Sequence, residues 1–427
     1  MRPILKSLAA SSLAIAASLA ATAVPVTARA DVPDADIKAV SQSTNQFAFD
    51  LYQKIDSASG NIIVSPYSID TALGMLDVGA RGQTHTEIAA AMHQPQLAPA
   101  DFQAAMGQLV QQFQAAKLKP SQTPQAQDTH NTGYELHVAD ALWGQKGVVW
   151  LPTYLDAMKS SYAAGLQSLD FTKEPVARKT INDWVSQHTA DKIKDLIPAG
   201  AISDDTRMVL TNAVYFKADW SRKFKAEDTH DGDFHADGKT DVVQAKLMNL
   251  NARFDYMETP AFQAVRMPYV NDAVSMIVIL PKANDGLPAV EKTLDAQSLD
   301  KIIADFRNNQ VNITLPKFKA DQTLPLNKTL ADLGIKTAFT HAADFSGMTG
   351  SPDLFLSSAI HKAFIAVDED GTEAAAATGM MMNTMAIMVP PQAINFTADH
   401  PFVYMLTDSK TGVILFIGRV ENPTTPA

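Results

Sequence analysis

Glu369-Asp-Gly-Thr-Glu-Ala-Ala-Ala-Ala-Thr-Gly-Met-Met-Met-Asn-Thr-Met-Ala-Ile-Met-Val-Pro-Pro391 is the stretch of this sequence on which two local interpretations conflict. Its alanines and methionines favour a helix, and an Ala-rich helix or a disordered loop is the simplest interpretation of its composition. The glycines and paired prolines, however, bound a stretch with no amphipathic stripe. As an extended strand it presents small residues first, bulky ones later, and no lysine or arginine. A segment that is exposed in one state and lies between two strands in another would need this composition.

The sequence on either side of this stretch is strand-like, whereas the first half of the chain is mainly helical. Short β-rich runs occupy 209–216, 275–280, 311–315 and 413–420. Apolar residues at steps of three and four from Val40 to Ile55 predict an early helix, and Ser65-Pro66 reads as the start of a second one. Residues 117–133 predict an exposed loop. No long polar linker is present, so we predict one α+β domain with helices early and antiparallel sheets late.

The first thirty residues differ from the rest and predict a secretory signal. Arg2 and Lys6 precede an apolar run over 8–24, and Ala28-Arg29-Ala30 offers small residues for cleavage. The alternative is a transmembrane segment. Two features argue against it, because the run is rich in Ala and Ser and because it ends at a proline. We therefore predict a signal peptide over 1–30, a domain over 31–427, and an exported protein in the periplasm or outside the cell.

Composition excludes several classes of function. The 427 residues carry 35 Lys plus Arg against 46 Asp plus Glu, a formal charge of −11, which argues against nucleic acid or an anionic membrane as partner. The absence of cysteine excludes thiol catalysis, disulfides and cysteine-ligated metal centres. No motif of a hydrolase, metalloprotease, P-loop or dinucleotide-binding enzyme occurs. We therefore expect no enzyme and no cofactor.

Two features could suggest a metal site, but both have a simpler explanation. The acidic and histidine-rich run comprises Asp228, His230, Asp231, Asp233, His235, Asp237 and Asp241. It lacks the glycine and the closing glutamate of a calcium loop, and it predicts a solvated hairpin turning at Asp237-Gly238. His361 lies in an apolar frame, where a hydrogen-bonded core residue is the simpler interpretation. We expect no metal ligand in either place.

Four long motifs resemble the serpins, the serine protease inhibitor superfamily. They are 61–69 with 76–82, 211–217 with Trp220, 371–376, and 396–402, and they follow the order of that family over essentially the whole chain after residue 30. The resemblance implies a single domain with three β-sheets, about nine helices and an exposed reactive-centre loop at about 369–391. It also implies that a protease cleaves this loop, that an acyl-enzyme forms, and that the loop then enters the main sheet as an extra strand.

The resemblance assigns roles to individual residues. Counting from the hinge glycine gives Met385-Ala386 as the reactive bond, to within one or two residues. The hinge comprises Glu369, Gly371, Thr372, Glu373, Ala374, Ala375, Ala376 and Ala377. The polar cluster beneath the opening strands, often called the shutter, comprises Ser65, Ser68, Asn212 and His361, and the breach, where insertion begins, includes Trp220 and Lys317. Glu369 and Lys317 match a charged pair that would disfavour premature insertion.

The function implied is irreversible, suicide-substrate inhibition of serine proteases. Because 371–401 contains no lysine or arginine, we expect elastase-, chymotrypsin- or subtilisin-like targets. The alternative is a non-inhibitory serpin acting as carrier or chaperone, which the small hinge residues disfavour. A hydrolase of unrecognised type has no motif behind it. Relatives that bind heparin use a basic helix in this part of the chain, but the only basic residues of 111–119 are Lys117 and Lys119, so heparin binding is not expected. We expect a monomer whose partner is its target protease.

Overall fold

The computed structural model of the chain describes residues 32–55, 60–116, 134–162, 166–236, 238, 240–372 and 393–425. Several predictions lie outside these residues: the signal peptide, the loop over 117–133, the reactive bond Met385-Ala386, and the hinge residues from Glu373 to Ala377. The residues described from Val32 onward belong to one compact unit. Its architecture is α+β, as predicted.

The described residues form ten α-helices, and the early part of the chain holds the longest of them. They are α1 (Asp34–Lys54), α2 (Pro66–Gly79), α3 (Gly82–Ala91), α4 (Pro99–Ala116), α5 (Pro152–Ala157), α6 (Glu174–His188), α7 (Leu287–Glu291), α8 (Ala296–Asp305), α9 (Leu326–Asp332) and α10 (Ser346–Thr349). The predicted stripe buries one face of α1. Ser65 caps α2 with Pro66 at its first helical position, as the sequence predicts. Helix α4 was not predicted.

Within the described residues, fifteen strands form two hydrogen-bonded sheets. They are β1 (Ile62–Val64), β2 (Tyr134–Gln145), β3 (Leu166–Leu169), β4 (Met208–Asp219), β5 (His230–His235), β6 (Val242–Glu258), β7 (Phe262–Pro268), β8 (Val274–Pro281), β9 (Arg307–Pro316), β10 (Phe318–Pro325), β11 (Ser358–Val367), β12 (Gly371–Thr372), β13 (Ile394–Thr397), β14 (Phe402–Asp408) and β15 (Ile414–Val420). The four predicted strand regions correspond to β4, β8, β9 and β15.

The larger sheet has the strand order β1-β15-β14-β8-β7-β6-β9-β13, with β5 also paired to β6. The 17-residue strand β6 joins two parts of it: residues 255–258 pair with β7, and residues 247–256 pair with β9. One long strand thus unites what the resemblance describes as two separate sheets. The predicted hairpin in the acidic run is confirmed, because β5 pairs with β6 from His230 opposite Leu247 to His235 opposite Val242.

The smaller, six-stranded sheet has the order β10-β11-β12-β4-β2-β3, with β11 also paired directly to β4. It is mixed rather than antiparallel, since β4 runs parallel to β11 and β2 parallel to β3. Side chains of β4 alternate between two apolar cores. One face, with Val214 and Phe216, enters the main core, and the other, with Val209 and Ala213, packs under α6. This sheet therefore lies between the main core and a smaller outer one.

Two further findings concern the part of the chain that the structure describes. None of its helices combines the length and the apolar content that a membrane span needs. No group of three or more histidine, aspartate or glutamate side chains in it is arranged to hold a metal ion. The acidic run that attracted attention in the sequence is thus a hairpin whose charges are distributed over paired strands.

Candidate functional site

The six-stranded sheet is closed along part of its length and open at one end. Strands β4 and β11 pair directly from Val209 opposite Ser358 to Tyr215 opposite Phe364. Beyond that point the short strand β12 lies between them, with Thr372 opposite both Ala218 of β4 and Val367 of β11. Because β12 is antiparallel to both neighbours, it occupies the position at which a full additional strand would begin.

The first residues of β12 fit closely between the two strands. Thr372 is fully buried, and its hydroxyl lies 2.7 Å from the hydroxyl of Tyr269. Gly371 has φ +156°, and a Cβ there would come within 2.0 Å of the carbonyl oxygen of Ala218. A side chain at this position would therefore collide with the backbone of β4, so the sequence needs glycine here.

The breach residue Trp220 connects the hinge to the neighbouring sheet. Its ring stacks on Tyr269, with ring centroids 4.4 Å apart and planes within 7°. Its indole N–H donates to the carbonyl of Asp368 at 3.0 Å, and its backbone N–H donates to the carbonyl of Asp370 at 2.8 Å. One tryptophan therefore holds the turn before β12 from two sides.

Two ion pairs fix the same turn. Lys317 Nζ lies 2.6 Å from Glu369 Oε2, the pair anticipated from the sequence, and Lys223 Nζ lies 3.1 Å from Asp370 Oδ1 and 3.3 Å from Asp219 Oδ2. Burial is the largest single effect on Glu369 and opposes its ionisation, but the hydrogen bond from Lys317, further hydrogen bonds and the charge of Lys317 together outweigh it and hold the pKa of the carboxyl below its usual value. Ion pairs therefore hold both acidic residues of the turn before β12, Glu369 and Asp370.

A buried polar cluster lies away from the open end of the sheet, where β4 and β11 pair directly. The structure brings together all four residues that the resemblance assigns to the shutter. The backbone N–H of Ser65 donates to His361 Nε2 at 3.2 Å, so Nε2 accepts and the imidazole proton lies on Nδ1. That proton is donated to Asn212 Oδ1, and Asn212 Nδ2 in turn donates to Ser68 Oγ.

The cluster includes a carboxyl that the sequence analysis missed. Asp140 of β2 accepts hydrogen bonds from Asn212 Nδ2 and, at 3.0 Å, from Ser68 Oγ, while its Oδ2 is buried without a partner within the described residues. Burial raises the pKa of Asp140 to about 8, and burial lowers the pKa of His361 to about 3. Both side chains are therefore uncharged at neutral pH.

Uncharged groups make this cluster suitable for an opening. The only side-chain link from β4 to β11 within the cluster is the bond from His361 to Asn212, whose residues are opposite each other in the register. Separating the two strands would break this bond between neutral groups, and no buried charge would lose its counter-ion. The sequence held a signal for Asp140, since a lone aspartate interrupts the apolar run Ala139 to Trp143. No comparable signal marks Tyr269 or Lys223.

Comparison with known proteins agrees with this arrangement. Residues 42–423 match the family model described as serpin (serine protease inhibitor). The chain is 37% identical over 388 residues to an uncharacterised serpin-like protein of Thermococcus kodakarensis, covering 90% of this chain and 86% of that protein. It is 36% identical over 393 residues to the leukocyte elastase inhibitor of Xenopus tropicalis, covering 90% and 99%. The crystal structure of human thyroxine-binding globulin in complex with its ligand superposes with a TM-score of 0.80 at 29% identity, covering 91% of this chain and all of that one. The chain therefore belongs to the serpin family.

Proposed function

We propose that this protein is an irreversible inhibitor of serine proteases that acts as a suicide substrate and is not itself an enzyme. The target cleaves the loop at or near Met385-Ala386, an acyl-enzyme forms on the nucleophile of the protease, and the freed loop enters the sheet between β4 and β11. The acyl-enzyme is carried along with the loop and loses its catalytic geometry.

The position of β12 is the observation that supports this proposal most directly. Gly371 and Thr372 are paired with both β4 and β11 at the open end, so the residues that follow them in sequence can continue the same strand. The first of those residues is Glu373, and the next four are the alanines from 374 to 377, which add little volume on either face. Continuation replaces one parallel ladder with two antiparallel ones, which favours the inserted state.

The second candidate is a non-inhibitory carrier or chaperone. It is favoured by the likeness to thyroxine-binding globulin, whose solved structure is described as a complex with thyroxine. Against it stands the hinge, where this chain has Thr372 and four alanines at 374–377. The leukocyte elastase inhibitor of Xenopus tropicalis, similar over nearly its whole length, carries inhibition in its name and supports the first candidate.

The target class follows from the loop sequence. No lysine or arginine occurs in 371–401, so the loop offers no side chain that a trypsin-like pocket would bind. Met385 precedes the proposed bond and fits a pocket for unbranched apolar side chains. We propose elastase-, chymotrypsin- or subtilisin-like targets, export directed by residues 1–30, and action as a monomer.

The test is incubation of the protein, expressed without residues 1–30, with subtilisin, chymotrypsin, pancreatic elastase and trypsin. We expect a complex stable in SDS with at least one of the first three, and a released C-terminal peptide that begins at Ala386. Clean cleavage of the loop by any of the first three, without a complex with any of them, would contradict inhibition and favour the carrier. Turnover of a chromogenic ester by the protein alone would contradict both.

A further inference from the structure

Helix α2 is hydrogen-bonded to both sides of the line along which the six-stranded sheet would open. On one side, the N-cap residue Ser65 donates from its backbone N–H to His361 of β11 at 3.2 Å and from its hydroxyl to the Leu415 carbonyl of β15 at 2.7 Å. On the other side, Ser68 Oγ donates to Asp140 Oδ1 of β2 at 3.0 Å. The start of α2 therefore joins the two halves of the sheet.

Opening of the sheet by one strand would break the hydrogen bonds on one side of the helix. An additional strand separates its neighbours by a further strand spacing of about 4.8 Å, and α2 cannot follow both halves over that distance. Ser65 anchors the helix to β15 of the larger sheet as well as to β11, so α2 stays with β11. The bonds that break are then those that join Ser68 to Asp140 and to Asn212.

The charge of Asp140 determines how strong this link is. Its buried carboxyl accepts from both Ser68 and Asn212 at Oδ1, so in the neutral form the proton lies on Oδ2, which has no partner within the described residues. Ionisation converts both bonds into hydrogen bonds to a carboxylate, which are stronger. An ionised Asp140 would lose one of its two donors when the sheet opens, in a place where burial limits replacement by water.

The titratable groups around Asp140 do not supply a positive charge. On α2, Tyr67 is close enough that the charge of Asp140 adds to burial in raising the pKa of its phenol, whereas Asp70 is hydrogen-bonded to α1. On β11, burial lowers the pKa of His361 to about 3, so its imidazole is neutral. The titratable residue of α4 is Asp101, which is exposed. Burial therefore dominates and raises the pKa of Asp140 to about 8.

We infer that Asp140 is a pH-dependent latch on loop insertion: its neutral carboxyl lets the sheet open, and its carboxylate holds β2 and β4 to helix α2. This inference rests on the proposed function for the role of insertion in inhibition. As the pH rises through the titration of Asp140, insertion slows, and more of the acyl-enzyme hydrolyses before the protease is trapped. The protein would then act less as an inhibitor and more as a substrate in mildly alkaline solution.

The latch has the opposite sign to a general loosening of the fold. Ionisation of a buried carboxyl lowers the free energy of unfolding, and a less stable sheet would open faster. The latch instead predicts slower insertion over the same range of pH in which the thermal midpoint of the intact protein falls. The insertion rate and the thermal midpoint, measured together, therefore distinguish a latch from a purely structural effect of Asp140.

The test measures the limiting rate of insertion between pH 6.5 and pH 9.5. An excess of protease cuts the loop in a stopped-flow instrument, so that insertion limits the rate, and tryptophan fluorescence follows it. Asp140→Asn is the main variant, because its amide keeps the shape of the neutral carboxyl and cannot ionise. The matched control is Asp70→Asn, a second buried carboxyl of α2 that is bonded to α1 and not across the opening. Ser68→Ala removes the link itself and keeps the test decisive if Asp140→Asn does not fold.

We expect the wild-type insertion rate to fall about tenfold from pH 6.5 to pH 9.5, which corresponds to the difference between a hydrogen bond to a neutral group and one to a carboxylate. Asp70→Asn should fall as steeply, whereas Asp140→Asn and Ser68→Ala should insert at nearly the same rate at every pH. The number of inhibitor molecules consumed per subtilisin should rise with pH for the wild type and stay constant for Asp140→Asn. The ratio of the two proteins at each pH cancels the pH dependence of the protease itself.

The possible results separate the latch from the proposed function. The same pH profile for the wild type and Asp140→Asn, with an SDS-stable complex in both, would overturn the latch and leave inhibition intact. A wild-type insertion rate that increases with pH, or full pH dependence in Ser68→Ala, would also overturn the latch. The expected pH profile without a complex with subtilisin, chymotrypsin or elastase would support the latch and overturn inhibition. No insertion at any pH after the loop is cut would overturn both.

Discussion

Thr372 is a buried residue from which the proposed strand insertion would continue. Its side chain is fully buried between β4 and β11, and its hydroxyl contacts that of Tyr269. Replacement of Thr372 by arginine would bring an unpaired charge into this space, at a cost of several kcal/mol. We expect Thr372→Arg to remain cleavable and to lose the SDS-stable complex, becoming a substrate. Thr372→Ser, which keeps a small hydroxyl side chain, is the control and should form the complex. Formation of the complex by Thr372→Arg would argue against this route of insertion.

Asp140 gives the intact protein an unusual dependence on pH. Its pKa rises from 3.8 to about 8 on burial, so between these values the native state keeps a proton that the unfolded chain releases. Stability from this group is full below about pH 4 and is lost as the pH rises toward 8. His361 acts in the opposite direction between about 3 and 6.5, because it is neutral when folded and protonates when unfolded.

The window above pH 6.5 therefore isolates the buried carboxyls. We expect the thermal midpoint of the wild type to fall between pH 6.5 and 8.5, and we expect Asp140→Asn to flatten this fall. Asp70, whose pKa burial raises to about 7, contributes the lower part of the window, so Asp70→Asn is the matched comparison. An unchanged slope in Asp140→Asn, measured by circular dichroism, would mean that Asp140 is already ionised in the folded protein.

Helix α6 contributes to the outer apolar core on the six-stranded sheet, where β4 and β11 are directly paired. Its buried apolar residues share one cluster with Ile360 of β11 and with Val209 and Ala213 of β4, so this cluster spans the line along which the sheet would separate. Two hydrogen bonds between Asn182 and Ile197 hold the segment after the helix. Asn182 Nδ2 donates to the Ile197 carbonyl at 3.0 Å, and the Ile197 N–H donates to Asn182 Oδ1 at 2.8 Å.

Loss of these two hydrogen bonds should loosen the packing of helix α6 and of the segment that follows it. Asn182→Ala leaves two buried backbone groups unsatisfied, and we expect a loss of about 1–3 kcal/mol in the free energy of unfolding. We also expect faster loop insertion after cleavage. Asp183→Ala removes an exposed pair with Lys179 on the same helix and should change stability very little. Stability is measured by urea unfolding, and insertion by the time course of thermal hardening. Equal stability of the two variants would contradict the bridging role.

The elements that sequence reasoning predicted are those with a simple pattern. The buried strands over 209–216 and 275–280 are short runs rich in apolar and β-branched residues, and their positions could be predicted. Helix α4 has an apolar stripe from Phe102 to Phe113, a pattern typical of a helix, which the sequence analysis did not use. Strand β6 could not be predicted because exposed asparagines alternate along it, and the partner strands that stabilise them are distant in sequence.

The candidate site was predictable only in part for a similar reason. The hinge and the residues of the polar cluster occur in motifs that resemble the serpins, and the structure brings Ser65, Ser68, Asn212 and His361 together. Asp140 and Tyr269 act through contacts between strands, and a single sequence contains no record of which strands are neighbours. The reactive bond remains a prediction of the sequence, since it lies outside the described residues.

At the scale of the whole molecule, the cleaved protein should be more stable than the intact one. The direct ladder between β4 and β11 is parallel, and an inserted strand replaces it with two antiparallel ladders. We expect the thermal midpoint, followed by circular dichroism, to rise well above that of the intact protein after the loop is cut with a catalytic amount of a non-target protease. Cleaved Thr372→Arg should rise less. A wild type with no rise would favour the carrier or chaperone.

The proton on His361 Nδ1 gives the molecule a built-in spectroscopic reporter. It is buried and bonded to Asn212 on the neighbouring strand, so it should exchange slowly with solvent and give a resolved downfield proton resonance in nuclear magnetic resonance spectra. An inserted strand would move the two backbones from one strand spacing to two, about 5 to about 10 Å apart, and break this bond. We expect the resonance to vanish or shift on cleavage of the loop and to persist in cleaved protein that has not inserted it. His361→Gln identifies the signal, and a resonance unchanged by insertion would mean that the sheet opens elsewhere. A single hydrogen atom would then distinguish a used inhibitor from an unused one without any protease present.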